Sequence, residues 1–130
     1  MKNGWGMGEA VARALLEEQD LVHPELSLLL SAPRLGIPCT VHAALGAEII
    51  HQHPEADGAA IGDTSHRDFR RLAGSLPSIH EGGAVLNFGS AVIMPEVFLK
   101  ALTIARNLND RRPVNFTTCD LDMGLRRFEP

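Results

Sequence analysis

The chain has 130 residues, the length of one ordinary domain, and its 45% hydrophobic content is typical of a globular protein. A formal net charge of -4, with arginines scattered along the chain, argues against the broad basic surface of a nucleic-acid-binding protein. No apolar run reaches the roughly 20 residues that span a bilayer, and the start lacks the apolar core of a signal peptide. We therefore expect a single cytoplasmic domain over residues 1–130 that binds neither nucleic acid nor membrane.

The N-terminal part, residues 1–35, is predicted to be helical. An apolar stripe at helical spacing predicts a first helix over residues 8–19. Pro24 suits the first position of a second helix, and Pro33 is expected to end that helix.

A strand, a loop and a third helix are predicted next. Residues 37–43, IPCTVHA, alternate and include β-branched side chains, which favours a strand. Pro54, Gly58 and Gly62 are expected to prevent anything longer than a helical turn in the loop that follows. Ser65 and Asp68 stand in an N-cap relation before an apolar stripe, so a third helix is expected to begin there.

The last elements are two strands with a helix between them. AVLNF, residues 84–88, predicts a strand apolar enough to be covered on both faces. An apolar stripe predicts a helix from about Pro95 to Leu108, and residues 114–119 predict the final strand.

Strands alternating with helices indicate an α/β protein with a parallel sheet. We predict a Rossmann-like three-layer fold, with a βαβαβ core over residues 36–120 and a tail over residues 121–130. Because a sheet of three strands leaves an edge or a face uncovered, we also expect either a homo-oligomer or a piece of a once larger domain.

Ligands of open parallel sheets bind beyond the carboxyl ends of the strands, where three segments are expected to lie: residues 43–48, 88–94 and 119–122. There, NFGSA begins with Asn87, Gly89 allows close backbone approach, and Ser90 adds a hydroxyl, a combination suited to an anion or a nucleotide phosphate. Asp120 and Asp122 follow the last predicted strand, a position from which a carboxylate accepts hydrogen bonds from ribose hydroxyls. The alternative is that these residues form only turns and helix caps.

The N-terminal GWGMGEA, residues 4–10, superficially resembles a glycine-rich phosphate loop that leads into a helix. Its GxGxG spacing departs from the dinucleotide fingerprint GxGxxG, and no strand precedes it. The alternative is a flexible N-terminal lead-in.

Histidines provide the sharpest local pattern. His42 lies at the end of a predicted strand, and His51 and His53 follow in HQHP with carboxylates nearby. Such a group is a candidate for a metal-dependent hydrolase, although its spacing matches no closed zinc site. Alternatively, His42 or His51 contacts a polar ligand or does acid-base work, or the histidines are ordinary loop residues.

Four segments together resemble the C-terminal, NAD-binding part of deoxyhypusine synthase and its bacterial relatives. They read SLLLSAPRLGIPCTVHAALGAEI, RDFRRLAGS, GGAVLNFGSAVIMPEVFLKALTIARN and VNFTTCDLDMG. The resemblance runs from about residue 25 to residue 124. It implies the NAD-binding fold of that family, NAD as cofactor, and a site near a subunit interface.

This chain departs from that family at three places. Gly46 stands where the family has an acidic residue, so that only Glu48 or His51 is left to replace it. The segment NFGSAVIM keeps one glycine and contains no histidine, and Lys100 does not match the family's covalent lysine. The resemblance therefore implies a domain that binds NAD or a related nucleotide but does not synthesise deoxyhypusine. Its implied chemistry is transferase or oxidoreductase chemistry on a small, amine-like substrate, and the remaining alternative is a non-catalytic oligomeric assembly module.

Overall fold

A computed structural model describes residues 4–110 and 112–121. The protein is mixed α/β, and its helices and strands are α1 (Met7–Glu17), α2 (Leu28–Arg34), α3 (Gly58–Ser75), β1 (Ala84–Phe88), α4 (Ile93–Leu108) and β2 (Thr117–Leu121). Short 3-10 turns lie at Pro24–Leu26, Ile49–Gln52 and Leu76–Ile79. None of the helices within the described residues is long and apolar enough to cross a membrane.

The chain divides into two compact units, Met1–Leu72 and Ala73–Pro130. The helices α1 and α2 belong to the first unit, and β1, α4 and β2 belong to the second. A single domain over residues 1–130 stays a prediction.

In the first unit, α1 packs against α2 and buries Ala12 and Leu30, each only 2% exposed. Both helices confirm the predicted helical start of the chain, although α2 is preceded by a separate 3-10 turn at Pro24–Leu26. Pro33 lies inside α2, one residue before its end, so the helix ends one residue after the proline that was expected to stop it.

The third helix begins earlier than predicted, at Gly58 rather than near Ser65. Asp57 caps this start, since its Oδ1 accepts hydrogen bonds from the backbone N–H groups of Ala59 at 2.9 Å and Ala60 at 3.2 Å. The expectation that Gly58 and Gly62 would break a helix was wrong, since Gly58 is the first residue of α3 and Gly62 lies inside it. Glycine inside a helix costs only about 1 kcal/mol, which a good cap offsets.

The predicted strand over residues 37–43 does not form, so the predicted three-stranded core is wrong, and the sheet of the described residues has two strands. Side chains of α3 accept hydrogen bonds from backbone N–H groups that would otherwise pair with a neighbouring strand. Val41 N–H donates to Asp68 Oδ2 at 2.9 Å, and Ala43 N–H donates to Ser65 Oγ at 3.0 Å. Ser65 and Asp68 therefore do not cap their own helix but attach an extended segment to it.

Asp68 is the buried centre of the first unit, with 0% of its surface exposed. Its Oδ2 also accepts the backbone N–H of Gly8 at 2.8 Å, in the first turn of α1. A Cβ on Gly6 would lie 1.7 Å from Asp68 Oδ1, so only glycine fits there. The glycine-rich start of α1 thus encloses a carboxylate of the protein itself, in the position where a phosphate loop would hold its ligand.

In the second unit, β1 and β2 pair in parallel, from Ala84 opposite Thr117 to Phe88 opposite Leu121, with α4 between them in the chain. The prediction of β1 over residues 84–88 is confirmed. The second strand starts later than predicted, since Asn115 has a positive φ of 54° and makes a turn before it.

The expectation that β1 would be covered on both faces was wrong. Leu86 is 56% exposed and Phe88 is 70% exposed. Because side chains alternate along a strand, these two lie on one face with Cys119 and Leu121, their partners in the parallel register. We call these four residues the apolar sheet face.

Replacing Asp68 by alanine is expected to lower the free energy of unfolding by about 3–5 kcal/mol, because two buried N–H groups would lose a charged acceptor. The matched control is Asp63→Ala on the same helix, which removes an exposed ion pair with Arg67 and should cost about 0.5 kcal/mol. Urea unfolding followed by circular dichroism measures both values. Equal losses in the two variants would contradict a central role for Asp68.

Candidate functional site

Asn87 links the two loops that leave the sheet. It lies directly opposite Asp120 in the parallel register. Its Nδ2 donates to Asp120 Oδ1 at 2.7 Å and to the backbone carbonyl of Ser90 at 2.8 Å. The carboxyl ends of both strands are therefore joined through one amide, where an open parallel sheet binds its ligands.

The turn after β1 depends on glycine. Gly89 has a φ of 70°, the left-handed region that residues with a Cβ rarely adopt, and its N–H donates to the carbonyl of Leu121 at 2.8 Å. A Cβ placed on Gly89 would meet no atom within 4 Å. The outer side of this turn is therefore open to a ligand.

Ser90 caps the helix that follows. Its Oγ accepts the backbone N–H of Met94 at 3.0 Å, in the first turn of α4. Pro95, next in the chain, has no N–H to offer. Two of the donors that a helix N-terminus would present to a phosphate are thus absent or used by the protein, while the Ser90 hydroxyl proton stays available.

We call Asn87, Ser90 and Asp120 the strand-end cluster. Its members are a carboxylate, an amide and a hydroxyl, and the charge among them is the negative charge of Asp120. A carboxylate accepts hydrogen bonds from sugar hydroxyls and repels phosphate. The cluster therefore suits the hydroxyls of a ribose better than a phosphate.

Glu96 and Lys100 form an ion pair along the exposed side of α4, four residues apart. This is the ordinary surface pair expected for a glutamate in a first helical turn followed by a lysine.

The other predicted site residues that the structure describes fall in the first unit, and two of them form a local turn. Gly46 has a φ of 83°, and Glu48 Oε1 accepts the N–H of Ala44 at 3.4 Å. His42 and His51 belong to the same unit, whereas the strand-end cluster and Gly89 belong to the second. Asp122 lies outside the described residues.

His42 is the histidine with the best-defined surroundings. It is half-buried, and its Nε2 lies 3.0 Å from Thr40 Oγ1. Burial lowers the pKa of His42 below its ordinary value, and the carboxylate of Asp68 partly opposes this. The ring is therefore neutral at pH 7, and the nearby hydroxyl holds its orientation.

His51 and His53 have separate surroundings. His51 Nε2 is buried with no hydrogen-bond partner among the described residues, whereas His53 Nδ1 accepts the N–H of Glu55 at 3.2 Å. In residues 4–110 and 112–121, no three His, Cys, Asp or Glu side chains are grouped as metal ligands. The geometry thus gives no support to the metal-dependent hydrolase hypothesis.

No family model, curated protein or solved structure matches the chain. The likeness to deoxyhypusine synthase consequently depends on the sequence segments alone. The coarse class that the structure establishes is a mixed α/β protein with a small parallel sheet.

The residue that sequence patterns missed is Asp68. It was assigned to a helix start, although it stands next to Phe69 and four residues before Leu72 in an apolar stripe. An acidic residue within such a stripe signals a buried carboxylate that needs partners. The residues of the strand-end cluster, in contrast, were candidates from the sequence, although Asp120 lies within β2, one residue before its end, rather than after it.

Replacing His42 by glutamine should make the free energy of unfolding fall less as the pH is lowered into mild acid. The pKa of His42 is near 6.5 in the unfolded chain and lower in the folded protein. As the pH falls, the unfolded chain takes up the proton first, so the unfolded state is stabilised relative to the folded state. Between about pH 7.5 and pH 5, the wild-type protein should therefore lose more stability than His42→Gln. His53→Gln, a change in an exposed loop histidine, is the control. Parallel pH profiles of wild type and His42→Gln in urea unfolding would refute this prediction.

Proposed function

We propose that the second unit binds NAD or a related nucleotide at the strand-end cluster. The observation that carries this proposal is the Asn87 amide, which joins Ser90 and Asp120 beyond the carboxyl ends of two parallel strands. Gly89 keeps the adjoining backbone open. The sequence likeness to deoxyhypusine synthase supports NAD as the particular nucleotide.

The ribose is the part of the nucleotide that the strand-end cluster recognises. Asp120 Oδ1 is engaged by Asn87, so the second carboxylate oxygen is the acceptor for a ribose hydroxyl. The phosphate then lies on the side of Gly89, where the backbone leaves room, and away from the negative charge of Asp120. In this arrangement Asn87 positions the carboxylate rather than contacting the base.

The chemistry assigned to this unit is nucleotide binding. When bound, NAD would supply hydride transfer, and the sequence likeness gives transferase or oxidoreductase chemistry on an amine-like substrate as the proposed reaction class. The strand-end cluster contributes hydrogen bonds that orient the ribose. No catalytic step is assigned to His42 or His51, because they belong to the other unit.

Titration calorimetry with NAD, AMP and 2′-deoxy-AMP tests the proposal on the folded chain. We expect saturable heat with NAD and AMP and weaker binding of 2′-deoxy-AMP, because it lacks one ribose hydroxyl. Asp120→Ala should weaken NAD binding by roughly tenfold or more, the effect of losing a charge-assisted hydrogen bond. The matched controls are Asp110→Ala and Asn107→Ala, exposed residues at and just beyond the end of α4.

Absence of heat with all three nucleotides would overturn the proposal. Equal affinity for AMP and 2′-deoxy-AMP would leave nucleotide binding intact but would contradict the ribose contact. Circular dichroism of every variant separates loss of a contact from loss of the fold.

A second candidate function, a homo-oligomeric assembly module, is favoured by the apolar sheet face. Leu86, Phe88 and Leu121 are 56%, 70% and 48% exposed there. A two-stranded sheet is marginal alone, and covering such a face removes apolar surface from water. We propose a second copy of the chain as the cover, since association through this face needs no other component.

Phe88→Thr should convert the oligomer to monomer in light scattering, because it removes the largest side chain of the apolar sheet face, which is 70% exposed, while retaining a residue that favours strands. Leu108→Thr is the control, since Leu108 is 78% exposed at the end of α4 and outside that face. A monomeric wild-type protein at high micromolar concentration would refute this candidate.

A further inference from the structure

The first unit contains a cleft of about 400 Å³, walled by α1 on one side and by the chain after α2 on the other. This volume is within the roughly 300–1,000 Å³ range of small-molecule sites. Its apolar lining consists of Ala12, Leu16, Pro33, Ile37 and Pro38. The cleft thus offers a surface for an apolar body of small size.

One end of the cleft is fixed by close packing. A Cβ on Gly8 would lie 2.0 Å from the backbone oxygen of Cys39, so these two lining residues are in direct backbone contact. Asp68 connects the same two segments, since its Oδ2 accepts hydrogen bonds from Gly8 N–H at 2.8 Å and from Val41 N–H at 2.9 Å. The cleft is therefore formed before any ligand arrives.

Two arginines in the cleft wall share one carboxylate. Glu9 Oε1 accepts from Arg13 Nε at 3.1 Å and Nη2 at 3.0 Å, and Glu9 Oε2 accepts from Arg71 Nη2 at 2.8 Å. The hydrogen bond from Arg71, with that from Arg13, holds the pKa of Glu9 below its usual value and keeps it charged. Each guanidinium has five N–H groups, so both have further donors to offer.

The donors of the lining favour a carboxylate. Arg13 and Arg71 contribute two positive charges to the lining, and Glu9 contributes one negative charge. Asp68 does not line the cleft, but its buried Oδ1 forms a longer ion pair with Arg71 Nη1 at 3.8 Å, so the two carboxylates balance the two arginines and a ligand is held by the guanidinium N–H groups that stay unused. A carboxylate that lies beside Glu9 would receive the remaining donors of both arginines.

We propose that this cleft binds a small carboxylate with an apolar body, held at its charged end by Arg13 and Arg71 and along its body by Leu16 and Ile37. The site belongs to the first unit and does not depend on the nucleotide proposal.

Two side chains report on occupancy. Trp5 is the single tryptophan of the chain, and Arg13 Cζ lies 4.5 Å from the centre of its ring. Cys39 is half-buried in the cleft lining, whereas Cys119 is exposed in β2. A ligand that draws Arg13 towards itself changes Trp5 fluorescence and shields Cys39, while Cys119 serves as an internal control.

The first experiment titrates the folded chain with hexanoate, and with hexan-1-ol and hexylamine as neutral and cationic probes of equal length. We expect hexanoate to change Trp5 emission saturably and to slow the alkylation of Cys39 by N-ethylmaleimide, with no change at Cys119. Peptide mass spectrometry measures the two cysteines separately. Hexan-1-ol and hexylamine should bind more weakly by roughly tenfold or more, since neither makes a charge-assisted hydrogen bond to the arginines.

A pair of variants then tests the charge of the site without touching the arginine network. Ile37 is 54% exposed in the lining, so both Ile37→Glu and Ile37→Gln should fold. The negative charge of Ile37→Glu should weaken hexanoate binding by roughly threefold or more relative to Ile37→Gln and strengthen hexylamine binding.

The proposal is overturned if hexanoate and hexan-1-ol give the same response, or if hexanoate leaves both Trp5 and Cys39 unchanged. It is also overturned if Cys119 is shielded as much as Cys39, or if Ile37→Glu and Ile37→Gln bind hexanoate equally. Nucleotide calorimetry on the same protein is read separately, because it concerns the other unit.

Discussion

The structure of the first unit depends on one buried carboxylate. Asp68 is fully enclosed, and its Oδ2 receives N–H groups from Gly8 in α1 and from Val41 in the extended segment. Burying a carboxylate costs several kcal/mol unless its hydrogen bonds are made, so the stability of this unit depends on α3, α1 and Val41 lying together. Only Oδ2 is satisfied in this way, since Oδ1 is buried with no hydrogen-bond partner among the described residues. The close approach also explains Gly6, where any side chain would overlap Asp68. One acidic residue thereby sets the positions of three segments.

The same carboxylate explains why part of the fold could be read from the sequence and part could not. The strand AVLNF was predicted over the correct residues because glycines bound it on both sides and its pattern is local. Residues 37–43 have an equally good strand pattern, yet Asp68 and Ser65 take backbone groups there that a neighbouring strand would need. Alternation shows which faces a segment presents, but it does not show whether a second strand is beside it.

The candidate site, like the fold, could be predicted only in part from the sequence. Asn87 and Asp120 were each placed at the carboxyl end of a predicted strand, and they share a hydrogen bond of 2.7 Å. The hydrogen bond between these two side chains depends on the register of β1 and β2, which no local sequence pattern encodes. Gly46 and Glu48 were placed at the sheet edge by the strand predicted before them as well as by the sequence likeness, and they form a turn of the first unit instead, because that strand does not form. Rules about sheet ends are therefore informative only where the strand itself is present.

Both helix starts with ligand-binding sequence patterns are satisfied by the protein itself. At α1, the first-turn N–H of Gly8 is bonded to Asp68, and at α4, the N–H of Met94 is bonded to Ser90. An external anion would have to displace these groups, and at α1 it would also meet a buried negative charge. At these two helix starts, recognition by side chains is consequently favoured over recognition by the helix N–H groups. That constraint favours Asp120 for the hydroxyls of a ribose and the two arginines of the cleft for a carboxylate.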